Sequence, residues 1–521
     1  MPLEHDSVAR GASSLYVASI GTLLSAMVYF VVLTNYFHST LLVGVVTALN
    51  ILIWFLVLFS VLATPIVNQN AIPAPLAVLK FIPEMLVTND RYTARKILTA
   101  SLTISLVVSL LIAALLMAAT PTIIQLLDGS AVLPIDVYLA AVDVIAVSLG
   151  AVGLAAVIAT GKARLGARYI WLWAISRYAL ASVLMVPLGV IGVLVGWILG
   201  DLLLVLLSLR RSFADLARYV ANASEAFPTR RFLSYNMYSL GAALIGFAMN
   251  QADRILTLTT QGVSPLAVYN VAIVASSVAG SAAYALVTVM LPAVAALFAA
   301  RRFDALHRLI RSNTRYLSIL VMPIAFGLAA VMEIPLRIFG AAYVSGIVPA
   351  VIVCVASGLT AVSAIYASAL LALGRMRWFT AANLLGLVGF LVLAWLLTPS
   401  LGLSGPAVGR AALMAITTMI YALVASLIGV FEFDLKAYLV STACSSIMAV
   451  PIYIAVSSIQ TFYLKLAALP FLIMLGLVIY LGLLRASHLL SKDDLEFLRA
   501  ITPQRLHRWL PLLARIVGVA G

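Results

Sequence analysis

Charge is what this sequence has least of. Only 10% of its 521 residues are Asp, Glu, Lys or Arg, where a water-soluble domain carries about 25%. With 64% hydrophobic residues and a mean hydropathy of +1.14, the chain cannot cover itself with groups that water solvates, so its surface has to face lipid. Histidine is scarce as well. His5, His38, His307, His488 and His507 fall in loops, tails or the end of the first hairpin, and no nucleophile with a base partner can be placed among the apolar stretches. A Gly-x4-Gly-Lys-Ser/Thr loop is absent, which excludes direct drive by ATP. The two cysteines, Cys354 and Cys444, lie inside apolar runs far from any histidine and read as small buried hydrophobes. No metal, disulfide framework or cofactor is expected. The chain does not open with a short apolar segment and a small-residue cleavage site, so the first span is expected to be retained.

What the sequence has in quantity is long apolar runs. Runs of about 20 residues, enough to cross a bilayer as helix, occur near 12–37, 41–67, 97–119, 135–160, 168–187, 190–209, 232–259, 266–299, 315–334, 346–373, 378–398, 406–430, 437–457 and 463–484. They stay apolar over full helical spans instead of alternating, so they are helices and not barrel strands. The expected fold is an all-α polytopic membrane protein of about fourteen transmembrane helices.

Basic residues orient it. Of 32 Lys and Arg, all but Arg177, Arg254, Arg337, Arg410 and Lys465 lie at or beside alternate loops or the termini. By the positive-inside rule that side is cytoplasmic, with both termini on it, in a multi-pass protein of the cell membrane. The net charge of +14 is spread over loops that meet anionic headgroups, which points to membrane lipids and not to nucleic acid as its partner. A monomer is expected.

The chain is also written twice. Gly161-Lys-Ala-Arg164 recurs as Gly374-Arg-Met-Arg377, and Gly189, Gly192 and Gly196 recur as Gly402, Gly405 and Gly409, all 213 residues apart. Pro121 and Pro335 match at 214. The expected organisation is a cytoplasmic N-terminus over 1–11, an N-lobe of six helices over 12–210, a basic cytoplasmic linker over 211–231, a C-lobe over 232–430, two further helices over 431–485 and a tail over 486–521. Six helices per lobe make the repeats parallel, and two such lobes imply a cleft that rocking exposes to each side in turn. In the tail, Ser491 reads as an N-cap, and Arg505, Arg508 and Arg515 among Leu506, Trp509 and Leu513 suit a helix in the headgroup layer.

Polar residues inside the spans are the candidate site. Asn236, Ser239, Ala243, Gly246, Asn250 and Asp253 repeat at 3-4-3-4-3 spacing and form one stripe, extended by Arg254. A stripe of this kind faces either a cavity or a partner helix. Arg177 falls near the middle of its span, where its planar fork suits phosphate oxygens. The alternative is an ion pair with Asp143 or Asp201. Those two carboxylates are candidates for coupling to H⁺ or Na⁺, unless an arginine neutralises them. Asp136, Glu333, Arg337 and Arg410, at outer helix ends, are expected to meet water. Gly192, Gly196 and Gly200 form a ladder for close helix packing.

Several segments together carry a resemblance: Asn250-Gln-Ala-Asp253-Arg254, Leu266-Ala-Val-Tyr269-Asn-Val-Ala272, Leu291-Pro292, Ile338-Phe-Gly340-Ala-Ala-Tyr343, Gly374-Arg375 and Pro399 with Gly402 and Gly405. In order and spacing the chain resembles, over essentially its whole length, the polysaccharide-transporter or oligosaccharide-lipid flippase branch of the multidrug/oligosaccharidyl-lipid/polysaccharide (MOP) exporter superfamily. The resemblance implies a MATE-like, V-shaped, two-lobed transporter. It would carry a polyprenyl- or dolichyl-(pyro)phosphate-linked oligosaccharide from the cytoplasmic to the outer leaflet, for surface polysaccharide or glycoprotein biosynthesis. It further implies that the helices beyond the twelve of the drug exporters favour the flippase branch. In the related lipid II flippases that extra pair forms a groove for the lipid tail. The first-helix arginine of those flippases has no counterpart beyond Arg10. On this reading Arg177, Arg254, Asn250, Asp253, Asn236 and Ser239 contact substrate, and Asp143 and Asp201 couple an ion. The alternatives are a MATE-type ion-coupled drug exporter and, behind it, a membrane glycan polymerase. An enzyme of that kind would need an acidic cluster and large outer loops, so a non-enzyme is expected.

Overall fold

In a bilayer every backbone N–H and C=O must find its partner within the chain, and a helix achieves this locally. The computed structural model, which describes residues 5–61, 75–87, 90–127, 131–216 and 229–489, is accordingly all-α. Contacts group the chain into two compact units, residues 1–270 and 271–521. The first holds α1 (His5–Phe37), α2 (Thr40–Val61), α3 (Leu76–Val87), α4 (Arg91–Ala118), α5 (Thr120–Leu126), α6 (Pro134–Ala159), α7 (Ala163–Leu188), α8 (Val190–Leu216), α9 (Thr229–Gln261) and the start of α10 (Val263–Ala299). The second holds the rest of α10 with α11 (Phe303–Ala330), α12 (Glu333–Phe339), a 3-10 turn (Ala341–Gly346), α13 (Ile347–Leu359), α14 (Ser363–Ala372), α15 (Met376–Leu401), α16 (Ser404–Leu427), α17 (Leu435–Ser458) and α18 (Phe462–Ala486).

Among the described residues thirteen helices are long and apolar enough to cross a membrane. The remaining long one, α9, is the least apolar because of its polar stripe. All fourteen expected spans coincide with helix. Four expectations touch residues outside the described set: residues 1–4 of the N-terminus, residues 62–67 of the second span, residues 217–228 of the linker, and the tail from residue 490, including Ser491 and its amphipathic helix. The linker's first residues are the end of α8, which runs on to Leu216.

The expected span 346–373 is not one helix. It is α13 and α14, separated at Thr360–Ala361–Val362. Apolar composition runs unbroken through this stretch, so hydropathy cannot see the break. Three consecutive i→i+3 bonds, from Ser363, Ala364 and Ile365 to Thr360, Ala361 and Val362 at 2.9, 3.2 and 3.1 Å, tighten it into a 3-10 turn. The Leu359 carbonyl accepts from the Tyr438 hydroxyl of α17 at 3.0 Å.

Helix lengths repeat along the chain. Both α7 and α15 have 26 residues and start 213 apart; α5 and α12 each have 7 and start 213 apart; α4 and α11 each have 28 and start 212 apart. Thus Pro121 and Pro335 lie in corresponding helices but one position out of step. Turns between neighbours are short and need left-handed backbone, which glycine supplies: Gly189 after α7 and Gly402 after α15 have φ of 58° and 54°. Two helix starts, those of α4 and α17, are capped by carboxylates. Asp90 and Asp434 accept from the N–H groups of Thr93 and Ala437, each at 2.9 Å. Asp136 differs from expectation: it is buried at 2% exposure, because its carboxylate turns back to the Leu133 N–H at 2.9 Å.

Candidate functional site

Glycine brings α8 against α7. A Cβ on Gly196 would stand 2.4 Å from the Ala181 Cα, and one on Gly200 2.5 Å from the Arg177 Cα. The ladder is a packing surface, as its spacing suggested, and it sets the neighbouring Asp201 beside Arg177. One guanidinium nitrogen of Arg177 donates to Asp201 Oδ2, and the other donates to Asp143 Oδ2 on α6 at 3.2 Å. Trp173 Nε1, one turn before Arg177, donates to Asp201 Oδ1 at 2.5 Å. Three indoles surround the guanidinium, with Trp197, Trp54 and Trp173 centred 4.8, 5.8 and 5.9 Å from it. Arg177, Asp143 and Asp201 are all at 1% exposure or less. Here the sequence left substrate contact and ion pairing open, and the structure shows both carboxylates engaged at once. The indoles were missed, yet a signal existed: Trp173 and Arg177, like Trp197 and Asp201, are spaced i,i+4 and share helix faces.

The second cluster joins α9 to α10. Asp253 accepts from the Tyr269 hydroxyl at 3.0 Å. Arg254 donates from Nε to Asn270 Oδ1 at 2.7 Å, and from one terminal nitrogen to the Asn250 carbonyl and Gln251 Oε1 at 2.9 and 3.0 Å. Asp253 and Arg254 are buried. The two side-chain bonds clasp the helices around the turn at Gly262, whose φ is 96°. Tyr269 and Asn270, partners that sequence reasoning did not assign, belong to the very segment quoted for the resemblance.

The α9 stripe is a packed face. Asn236, Ser239 and Ala243 are buried, while Gly246 and Asn250 are half-buried. Ser239 and Asn250 donate to carbonyls of their own helix, Tyr235 and Gly246, at 2.7 and 2.8 Å. Aromatic rings dock α9 on α2 and α3, with Phe247 5.3 Å from Phe55 and Tyr235 5.7 Å from Phe81. So the structure brings Asn250, Asp253 and Arg254 together on α9, and Arg177, Asp143 and Asp201 together on α6, α7 and α8. Asn236 and Ser239 lie further back along α9.

Two outer-end expectations change. Glu333 is bridged by Arg337 at 2.8 Å and by Lys465 at 2.6 Å, tying α12 to α18, and Arg410 is buried at 8% exposure. The helices drawn in by Glu333 are short or late in the chain, so no local pattern pairs them. Cys354 and Cys444 are buried free thiols as expected. No group of three or more potential metal ligands occurs among the described residues.

No family model matches the sequence, nor does any curated protein. Solved structures do match. The chain is similar to the lipid II flippase MurJ in its inward closed conformation, with TM-score 0.67 and 13% identity over 90% of this chain and 97% of that one. It is similar to a MOP superfamily transporter from Pyrococcus furiosus with a binding pocket of reversed polarity, with TM-score 0.58 and 14% identity over 80% and 95%. It is also similar to the MATE transporter ClbM in complex with Rb⁺, with TM-score 0.52 and 15% identity over 79% and 93%. At such identities the likeness establishes architecture: this is a multi-pass membrane chain with the fold of MOP superfamily transporters.

Proposed function

We propose that the protein is a flippase for a polyprenyl- or dolichyl-(pyro)phosphate-linked oligosaccharide, moving it to the outer leaflet by alternating access of an N-lobe and a C-lobe. The observation that carries this reading is α17 and α18, beyond the part of the chain written twice. They are fastened into the second unit by Asp434 to Arg315 at 3.1 Å and Lys465 to Glu333 at 2.6 Å. The flippase likeness takes in 90% of the chain where the MATE likenesses take in 79% to 82%. In this reading the α9 face, packed here, is uncovered when the lobes rock, and Asn236, Ser239, Asn250, Asp253 and Arg254 then meet the cargo's polar groups. Arg177 reaches a phosphate only by giving up one carboxylate, so it acts as a gate in which phosphate and Asp143 or Asp201 exchange. A carboxylate released in that exchange needs a cation, and this is where H⁺ or Na⁺ enters. The Rb⁺ bound by ClbM is a precedent for ion binding on this fold.

The test is flipping of a fluorescent prenyl-pyrophosphate glycan in reconstituted vesicles, beside uptake of a cationic dye. Glycan-lipid transport that falls in Arg254→Gln, with no dye transport, is the expected result. Dye transport without glycan-lipid transport would sink the flippase reading in favour of an exporter.

A further inference from the structure

The helix α4 carries a feature that the transport reading leaves unused. At 28 residues and about 1.5 Å per residue it is longer than the roughly 30 Å hydrocarbon core. Its first two turns, which hold Arg91, Arg95 and Lys96, therefore stand at the headgroup layer. Just below them an open groove of about 450 Å³ is lined by Lys96, Thr99, Ala100, Thr103 and Ile104. Lys96 is the cation of that lining. Its ammonium lies 4.3 Å from the centre of the Tyr92 ring, one turn back toward the headgroups, the posture of a lysine with its stem in hydrocarbon and its head at the polar boundary. The same face continues away from the groove as Leu106, Val107 and Leu110, at 39%, 50% and 50% exposure. Cation, hydroxyls and an apolar track thus follow one another in the order of a phospholipid's own parts.

We propose that this groove binds an acidic phospholipid of the membrane, its phosphate at Lys96, its ester groups level with Thr99 and Thr103, and an acyl chain along Leu106 and Leu110. An ammonium at the polar boundary favours an anionic headgroup over a zwitterionic one. The groove's apolar floor holds lipid and not a soluble anion. This inference does not depend on what the protein transports.

The experiment is native mass spectrometry of the full-length protein after equilibration with mixed micelles of phosphatidylglycerol and phosphatidylcholine. Wild type is expected to retain phosphatidylglycerol preferentially. Lys96→Gln should reduce that preference about fivefold. Thr103→Trp, which fills the groove and leaves the charge, should reduce it too, while Arg377→Gln, an exposed basic site on another helix, should leave it intact. Unchanged thermal unfolding of each variant in detergent separates loss of the site from loss of the fold. Undiminished preference in Lys96→Gln or in Thr103→Trp would overturn the proposal, and so would an equal loss in Arg377→Gln, which would mean diffuse surface charge. Preferential displacement by a prenyl pyrophosphate, with phosphatidylglycerol held no better than phosphatidylcholine, would assign the groove to cargo instead.

Discussion

Set α7 and α8 beside α15 and α16. Each first helix has 26 residues and ends on a left-handed glycine, with φ, ψ of 58°, −133° at Gly189 and 54°, −128° at Gly402. In each, the second helix presses glycines onto the first: a Cβ on Gly192 would meet the Leu184 carbonyl oxygen at 2.0 Å, and one on Gly405 the Thr398 Cα at 2.5 Å. Side chains at the same offset differ completely. Arg177 corresponds to Phe390, Asp143 to Ala356, Asp201 to Met414 and Trp173 to Gly386. The backbone frame is therefore indifferent to whether its centre holds an ion triad or an apolar plug. Glycine spacing writes the fold, and the residues between the glycines write chemistry into only one copy.

The sharpest way to break this comparison is to exchange the contents. Arg177→Gln strands two buried carboxylates and should cost about 3–5 kcal/mol in thermal unfolding. Replacing the whole triad by its counterparts, Asp143→Ala with Arg177→Phe and Asp201→Met, removes every stranded charge and should recover most of that loss, since an intact buried ion group is often no better than apolar packing. Recovery of stability without recovery of transport would assign the triad to function. A triple variant as unstable as Arg177→Gln would show that the two frames are not interchangeable.

The glycines provide the next test. Gly200→Ala drives a methyl to 2.5 Å from the Arg177 Cα, which is backbone, whereas at Gly409 the nearest atom is the Ala394 Cβ at 2.6 Å. Both should lose about 1–3 kcal/mol, as overpacked sites do, and Gly200→Ala should lose more because backbone yields least. Equal losses would mean that α8 shifts as freely as α16. Gly189→Ala and Gly402→Ala, strained by φ alone, should each cost about 1–2 kcal/mol and match one another.

Much of this frame was visible in the sequence, for a physical reason. Lipid demands unbroken apolar helices, so the spans announced themselves, and short turns kept the offset within 212 to 214 residues from the α4 and α11 pair to the α8 and α16 pair. The break after Leu359 was hidden because hydropathy reports composition and not hydrogen bonding. Helices α3, α5 and α12, with 12, 7 and 7 residues, are too short to register as spans. For the site, Arg177, Asp143 and Asp201 stood out because charge is costly in the bilayer. Their indole neighbours did not, since tryptophan among apolar residues looks ordinary. The α9 stripe was plain from its spacing, but spacing alone does not say what a face packs against.

Orientation is a property the fold leaves open and labelling decides. A cysteine at Thr260 or at Ser400, both exposed helix-end positions, should react with an impermeant thiol reagent outside intact cells. One at Arg308, in the basic cluster that begins α11, should not. Labelling of Arg308→Cys from outside would reverse the topology read from the basic loops.

The smallest effect concerns the other hairpin of the repeat, where the comparison runs the opposite way. Helices α1 and α9 end 224 residues apart and α2 and α10 begin 223 apart, so Asp253 corresponds to Tyr29 and Tyr269 to Val46. Here the later copy carries the polar pair and the earlier one is aromatic and apolar. Hydrogen bonds between membrane helices couple by only about 0.6 kcal/mol on average, because the separated helices also find partners. A double-mutant cycle of Asp253→Asn with Tyr269→Phe should therefore give a coupling of about that size, with the single variants remaining folded. If the Asp253 carboxylate meets cargo, Tyr269→Phe should lower glycan-lipid flipping in vesicles far more than it lowers stability. Parallel small losses in both would leave the pair as a clasp between α9 and α10, and would confine the substrate site to Arg254 and the residues before it on the stripe.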